Sequence, residues 1–321
     1  MKKLSIITVT LVTIVSSTIW AKDVNENSSA DYYHQHIKNK LNRLSNEING
    51  WLGETDPNQP ASAMLWVMLD TEWNRYGGVT YKPRVRGKVR LPVLQKHLRM
   101  IFGDEELDYN NRDKNRRGNN YDQALKKYKK YDRHQVRRDN NALGLNWSDG
   151  IERLGIDTDF DVGLRAGTDL YGRLRLVKEW TWQSIPQYST KLEQIYRYGR
   201  KSKHYLHTNL GNKWQENEET FINNHTFLEY TKQDTESLIW GNSLHREHNW
   251  ANYKRLSYGI YAGGSLNKQN AKLNSYGPFI TYRQPILSNW LFIQPEVSFY
   301  NNKDQKKSHF INAFVRLEAV F

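Results

Sequence analysis

The chain has 321 residues, with 47 Lys and Arg against 34 Asp and Glu, and no cysteine. Without cysteine, a disulfide framework and a thiolate metal site are both excluded. A formal charge of +13 would raise nucleic-acid binding in a cytosolic protein. Behind the export signal described next, it points instead to an anionic envelope component or an anionic solute.

The first 21 residues read as a secretory signal peptide. Met1, Lys2 and Lys3 supply positive charge, Leu4 to Trp20 is apolar or small, and Ala21 offers a cleavage residue before Lys22 and Asp23. Roughly 300 residues remain after cleavage, enough for one large β domain. No later apolar run approaches the roughly 20 residues that a membrane helix needs.

Residues 22–62 are expected to form a helix and a linker. Ile37, Leu41, Leu44, Ile48 and Trp51 fall at spacings of four, three, four and three, which puts them on one helical stripe over Ser28 to Leu52. Gly53 ends the helix, and 53–62 is polar with prolines. The stripe is expected to pack on a larger body, or inside it, in preference to a heptad seam for oligomerisation, since about two heptads fall short of the usual three or four.

From Ala63 to Phe321 the period changes to two. In 156–166, Ile156, Phe160, Val162 and Leu164 alternate with Asp157, Asp159, Asp161 and Arg165. In 84–91, Val85, Val89 and Leu91 alternate with Arg84, Arg86, Lys88 and Arg90. In 311–321, Ile311, Ala313, Val315, Leu317, Ala319 and Phe321 oppose Asn312, Arg316 and Glu318. Alternate residues of a strand face opposite sides, so each segment has one apolar and one charged face. The runs approach the nine to eleven residues with which a strand crosses a bilayer. Among 20 Tyr and 11 Trp, Trp73, Tyr76, Trp147, Trp180, Trp182, Trp214, Tyr282 and Trp290 lie near run ends, where an interfacial girdle would sit. The mean hydropathy of −0.84 fits as well, because only every second residue would meet lipid.

The expected fold class is therefore all-β: a transmembrane antiparallel up-and-down barrel behind a short periplasmic helix. Fourteen strands are expected near 63–75, 79–91, 96–103, 140–148, 155–166, 169–182, 187–199, 203–214, 219–231, 236–248, 253–266, 273–284, 290–300 and 308–321. Twelve is the alternative, because polar and apolar residues mix between 219 and 248. Residues 103–139 form a long extracellular loop rich in charge, with a short helix expected at Tyr121 to Tyr131.

Charges on the apolar side of such a barrel would each cost about 2–4 kcal/mol at the bilayer midplane. Arg84, Arg86, Lys88, Arg90, Arg99, Asp157, Asp159, Asp161, Arg165, Arg173, Arg175, Arg316 and Glu318 are accordingly expected to face the lumen, together with Asp70, Glu72, Glu179, Arg255, Arg283 and Glu296. They would line an aqueous path with a preference for anions, or pair with one another and close the barrel. The first gives a porin-like channel for small polar or anionic solutes, and the second a non-conducting envelope scaffold.

A lipid-modifying enzyme is the remaining class. Clusters at Asn223, Asn224, His225 and Thr226, and at Ser243, His245, Glu247 and His248, contain nucleophile and base types. Their spacing matches no recognised catalytic arrangement, so no enzyme, cofactor or metal is expected.

The terminal strand Ile311 to Phe321 resembles the C-terminal motif of bacterial outer-membrane barrels, in which a final aromatic is read by the barrel-assembly machinery. That resemblance implies insertion by this machinery, with Phe321 as the signal, and an address in the outer membrane among its lipid and lipopolysaccharide. Arg84 to Asp104 is similar to a segment of uncharacterised proteobacterial outer-membrane proteins, a likeness that implies no activity. At the level of fold, fourteen strands and an N-terminal extension resemble hydrophobic-compound transporters, although this lumen is too charged for an acyl route.

Overall fold

The computed structural model describes residues 29–94, 98–104, 136, 140–151, 154–232, 236–267, 270–286 and 288–321. The expected signal peptide and most of the expected 103–139 loop, including the expected helix at 121–131, lie outside the described residues.

Among the described residues, one helix, α1 (Ser29–Leu52), precedes fourteen strands. These are β1 (Ser62–Asn74), β2 (Gly78–Arg90), β3 (Leu98–Gly103), β4 (Ala142–Ile151), β5 (Ile156–Arg165), β6 (Asp169–Trp182), β7 (Ile185–Gly199), β8 (Lys203–Gln215), β9 (Thr220–Lys232), β10 (Glu236–Trp250), β11 (Lys254–Asn267), β12 (Asn270–Pro285), β13 (Leu291–Asn302) and β14 (Lys307–Val320). Each strand pairs antiparallel with its sequence neighbours, and β1 pairs with β14 to close the barrel. Fourteen strands, not twelve, are present. The mixed stretch 219–248 forms β9 and β10 in continuous register from His204↔Lys232 through to Trp250↔Lys254.

Closure gives every strand a hydrogen-bonded neighbour on each side, as a membrane-spanning sheet requires. The side chains sort accordingly. One face carries Leu69, Leu145, Val162, Leu174, Leu192, Leu210, Leu228, Leu244, Ile260, Ile280, Val297, Ile311 and Leu317, all 37–61% exposed. The other carries Asp70, Arg86, Asp161, Arg173, Glu193, His207, Glu296 and Arg316, all buried. This inverts the arrangement of a soluble protein and is stable only if the outer face meets lipid.

Two aromatic zones bound the aliphatic band. At the end where the chain termini meet the wall are Trp147, Trp182, Trp214 and Trp250, each more than a third exposed. At the opposite end are Tyr76, Tyr81, Tyr198 and Tyr276.

The wall is uneven. Strands β3, β4 and β5 have 6, 10 and 10 residues, shorter than the 12–16 of the others, so one side of the barrel is low. The 104–140 segment leaves and re-enters there, tied to the unpaired half of β2. Asn140 accepts from the Val85 amide at 2.6 Å and donates to the Pro83 carbonyl at 2.9 Å, while the Asp104 amide donates to Val85 at 2.7 Å. Gly103 makes this exit possible. Its φ is 90°, and a Cβ there would collide with the Val85 carbonyl oxygen. Gly103→Ala is expected to lower stability by at least about 1–2 kcal/mol, the usual cost of left-handed backbone alone. Urea unfolding in vesicles would measure it.

Helix α1 neither enters nor plugs the barrel; it lies along the rim at the terminal end. Asp31 accepts from Ser288 (2.8 Å) and Trp290 (2.7 Å) in the β12–β13 turn. His34 bonds to the Val320 carbonyl at 2.8 Å. Asn42 and Asn46 accept from the amides of Ala63 and Ala61, and Asn49 from that of Val93. The β1–β14 pairing begins only at Leu65 and Phe321, so β1 has no strand partner at 61–63 on that side. Asn42 and Asn46 supply the acceptors that a neighbouring strand otherwise would. The helix face turned to the barrel is thus polar, with His34, Ser45 and Asn49 buried. The expected apolar contact face is instead outward: Ile37, Leu44 and Trp51 are exposed, and Leu41 and Ile48 are half-buried at its margin.

Candidate functional site: the charged interior

Strand register places the inward side chains in order around the barrel. On β2, Arg90, Lys88, Arg86 and Arg84 rise every second residue from the terminal end. Arg99 of β3 is directly opposite Arg90, and Lys88 is opposite Ile101. Like charges facing across a strand pair repel. Arg90 is exposed, Arg99 and Lys88 are half-buried, and Arg86 is fully buried, so the ladder runs from an accessible mouth into a closely packed interior. Lys88 also lies 6.0 Å from the Trp66 ring.

Higher on the same side, charges pair across the closing seam. Arg316 binds Asp70 with two bonds, Nε–Oδ1 at 2.6 Å and Nη2–Oδ2 at 2.8 Å. Arg84 contacts the same carboxylate at 3.8 Å and Asp104 at 2.6 Å. Arg283 reaches past β13 to Glu318 at 3.2 Å.

A second network crosses β4 to β9. Asp161 accepts from Asn146 at 2.5 Å and pairs with Arg173. Arg175 bridges Asp159 (2.7 Å) and Glu193 (2.6 Å). Glu193 accepts from Asn209 at 2.8 Å, whose carbonyl oxygen bonds to His207 (2.9 Å) and His225 (3.1 Å). His207 and Tyr205 both reach Glu229, at 3.0 and 3.1 Å. Asp157 is exposed toward the terminal end, and Arg165 is half-buried at the other end, opposite Asp169. Inward residues of β9 to β13 also form an apolar cluster, Phe227, Ile239, Tyr261, Phe279 and Tyr300.

Sequence reasoning missed the Glu193, His207, Asn209 and Glu229 chain and the aromatic cluster. Their signal is present in the sequence, since each occupies an inward period-two position, but it lies outside the Arg and Asp runs that stand out there. The histidine clusters are taken apart by the register. Ser243, His245 and Glu247 face inward, with Ser243 opposite His225. His248 is on the outer face, stacked between Trp250 and Tyr258. His245 and His248 therefore cannot share a ligand. No group of three metal-binding side chains occurs among the described residues. Phe321 lies on the outer face, with the His34 ring stacked 5.1 Å away and Trp290 at 6.2 Å.

A closed antiparallel barrel with an aliphatic exterior, two aromatic girdles and a charged interior defines a transmembrane β-barrel protein. No protein-family model and no curated protein matches the chain. Solved structures do match in outline. A loop L8 deletion mutant of OmpT, an outer membrane protein of Vibrio cholerae, is 7% identical, with a TM-score of 0.49 over 81% of this chain and 99% of that one. The outer membrane channel DcaP of Acinetobacter baumannii is 8% identical, with a TM-score of 0.44 over 84% and 99%. Pseudomonas putida OprB at low pH is 11% identical, with a TM-score of 0.43 over 81% and 92%. At these identities the similarity is one of barrel architecture and carries no function.

Proposed function

We propose that this chain is an outer-membrane barrel, with the terminal end and α1 on the periplasmic side, that passes small polar solutes and favours anions. The basic ladder Arg90, Lys88, Arg86 and Arg84, widened at the mouth by Arg99, carries this reading. Repulsion between Arg90 and Arg99 is relieved when an anion enters between them, and each next rung lies about 7 Å further in, two residues along a strand. The paired charges at mid-height narrow the path, which restricts it to small solutes.

A second reading is favoured by a specific observation. Arg86, Asp161, Glu193, His207, Asn209 and Arg316 are each at most 1% exposed, so the interior at that height is packed. On that account the barrel is a non-conducting scaffold, and its partners are envelope lipid and lipopolysaccharide. Both readings assign no catalysis, and both take Phe321 as the signal for the assembly machinery.

Planar-bilayer recording separates them. The channel reading expects discrete, ohmic, anion-selective steps, with the reversal potential moving toward cation selectivity in Arg90→Glu plus Arg99→Glu. Folded protein that inserts without conductance establishes the scaffold instead.

A further inference from the structure

Among the described residues, helix α1 presents an exposed apolar stripe. Tyr33, Ile37, Leu44 and Trp51 are 64%, 39%, 51% and 80% exposed. At 100° per residue these four fall within about 40° of arc. The opposite flank, through Asp31, His34, Asn42, Ser45, Asn46 and Asn49, is the one fastened to the rim. A helix of a globular protein normally does the reverse, burying its apolar stripe and exposing its polar one.

The direction in which the stripe points is set by its margin. Ile48 packs on Ala61, Val89 and Leu91, beside Ala63, Met100 and Phe102. Register assigns Val89, Ala63 and Met100 to the face opposite Arg86, Lys88 and Asp70, which is the outer face of the wall. The stripe thus continues the barrel's own lipid-facing surface. Its height agrees, because His34 stacks on Trp290 at 4.5 Å and the nearby wall aromatics belong to the terminal-end girdle.

The helix also fits the rim in length. From Asp31 to Asn49 it spans about 27 Å. Crossing four strands at 35–45° tilt takes about 25 Å along a rim. It therefore lies tangent to the barrel, in the plane of the membrane surface. The next arc carries His36, Lys40, Arg43 and Glu47, all exposed, with Arg43 and Glu47 paired at 3.7 Å. Basic residues beside an apolar stripe match the boundary between acyl chains and anionic headgroups.

We infer that α1 is an interfacial membrane helix, seated on the phospholipid leaflet at the terminal end and holding the barrel's vertical position there. The inference rests on the barrel spanning a membrane, not on its conducting. Chain closure and helix attachment meet at one place, where the His34 ring stacks 5.1 Å from Phe321.

The chain has no cysteine, so single substitutions can each carry one nitroxide. Labels would be placed in the full barrel at Ile37→Cys, Leu44→Cys and Trp51→Cys, and at His36→Cys, Arg43→Cys and Glu47→Cys. The vesicles are phosphatidylethanolamine with phosphatidylglycerol, and oxygen and a water-soluble nickel complex are the relaxation probes. Oxygen should dominate at 37, 44 and 51, and nickel at 36, 43 and 47. Nickel dominating at 44 and 51 overturns the inference, as does protection from both probes, which would mean a protein partner. Dipolar broadening between copies at high lipid-to-protein ratio also overturns it, in favour of a dimer seam. A label at Val162→Cys on the wall is the control: if oxygen does not dominate there, the membrane-spanning reading itself fails.

Discussion

Replacing Asp70 with alanine is expected to lower the unfolding free energy by about 3–5 kcal/mol, the usual result of removing one partner of a buried ion pair. Arg316 is 1% exposed and holds Asp70 through two hydrogen bonds. Its charge stays in place when the carboxylate goes, and burial denies it the water that would replace it. The position magnifies the effect, because Asp70↔Arg316 lies at the centre of the β1–β14 ladder that closes the barrel. Arg84 is less disturbed, since it keeps Asp104 at 2.6 Å. The double variant Asp70→Leu with Arg316→Met should recover most of the loss, because two apolar side chains need no counter-charge. Urea titration in vesicles, read by the shift between folded and unfolded gel mobility, measures both. A single-variant loss below about 1 kcal/mol, the value of an exposed pair, would contradict the buried seam.

Ile260→Arg should cost about 2–4 kcal/mol in the same assay. Ile260 is 61% exposed at the middle of β11, on the outer face. In water, such a surface substitution usually changes stability by no more than about 0.5 kcal/mol. In a bilayer the guanidinium must be drawn into hydrocarbon or the lipid must deform around it. Depth makes the result specific. Leu273, 40% exposed near the far end of β12, should tolerate arginine at about 0–1 kcal/mol. Equal, small losses at both sites would mean that the outer face does not meet lipid.

Much of the architecture was legible in the chain because a strand repeats every two residues. The last strand was expected at 308–321 and occupies Lys307–Val320, and the sixth was expected and observed at 169–182. Inward charge could be assigned by the same alternation, since a wall that meets lipid leaves Arg86 or Asp161 only one side to face. The helix was legible as a helix, but its orientation was not. Its apolar stripe suggested a packing face, when the decisive feature was the polar series Asn42, Ser45, Asn46 and Asn49. Asn42 and Asn46 matter because β1 starts before β14 can pair with it, leaving amides at Ala61 and Ala63 for side chains to satisfy, and Asn49 because it accepts from the Val93 amide beyond β2.

The interior shows the same division. Asp161 and Arg173 flank one tight turn, so their pairing follows from local register, which a hairpin sets by turn length. Asp70 and Arg316 are 246 residues apart, and only closure brings them together. By itself the sequence determined the strand period, the strand count to within one hairpin and the sign of each face, because these depend on neighbours along the chain. Tertiary structure alone decided which charges meet, how tightly the middle packs and which way α1 turns, because each depends on where the first strand finds the last.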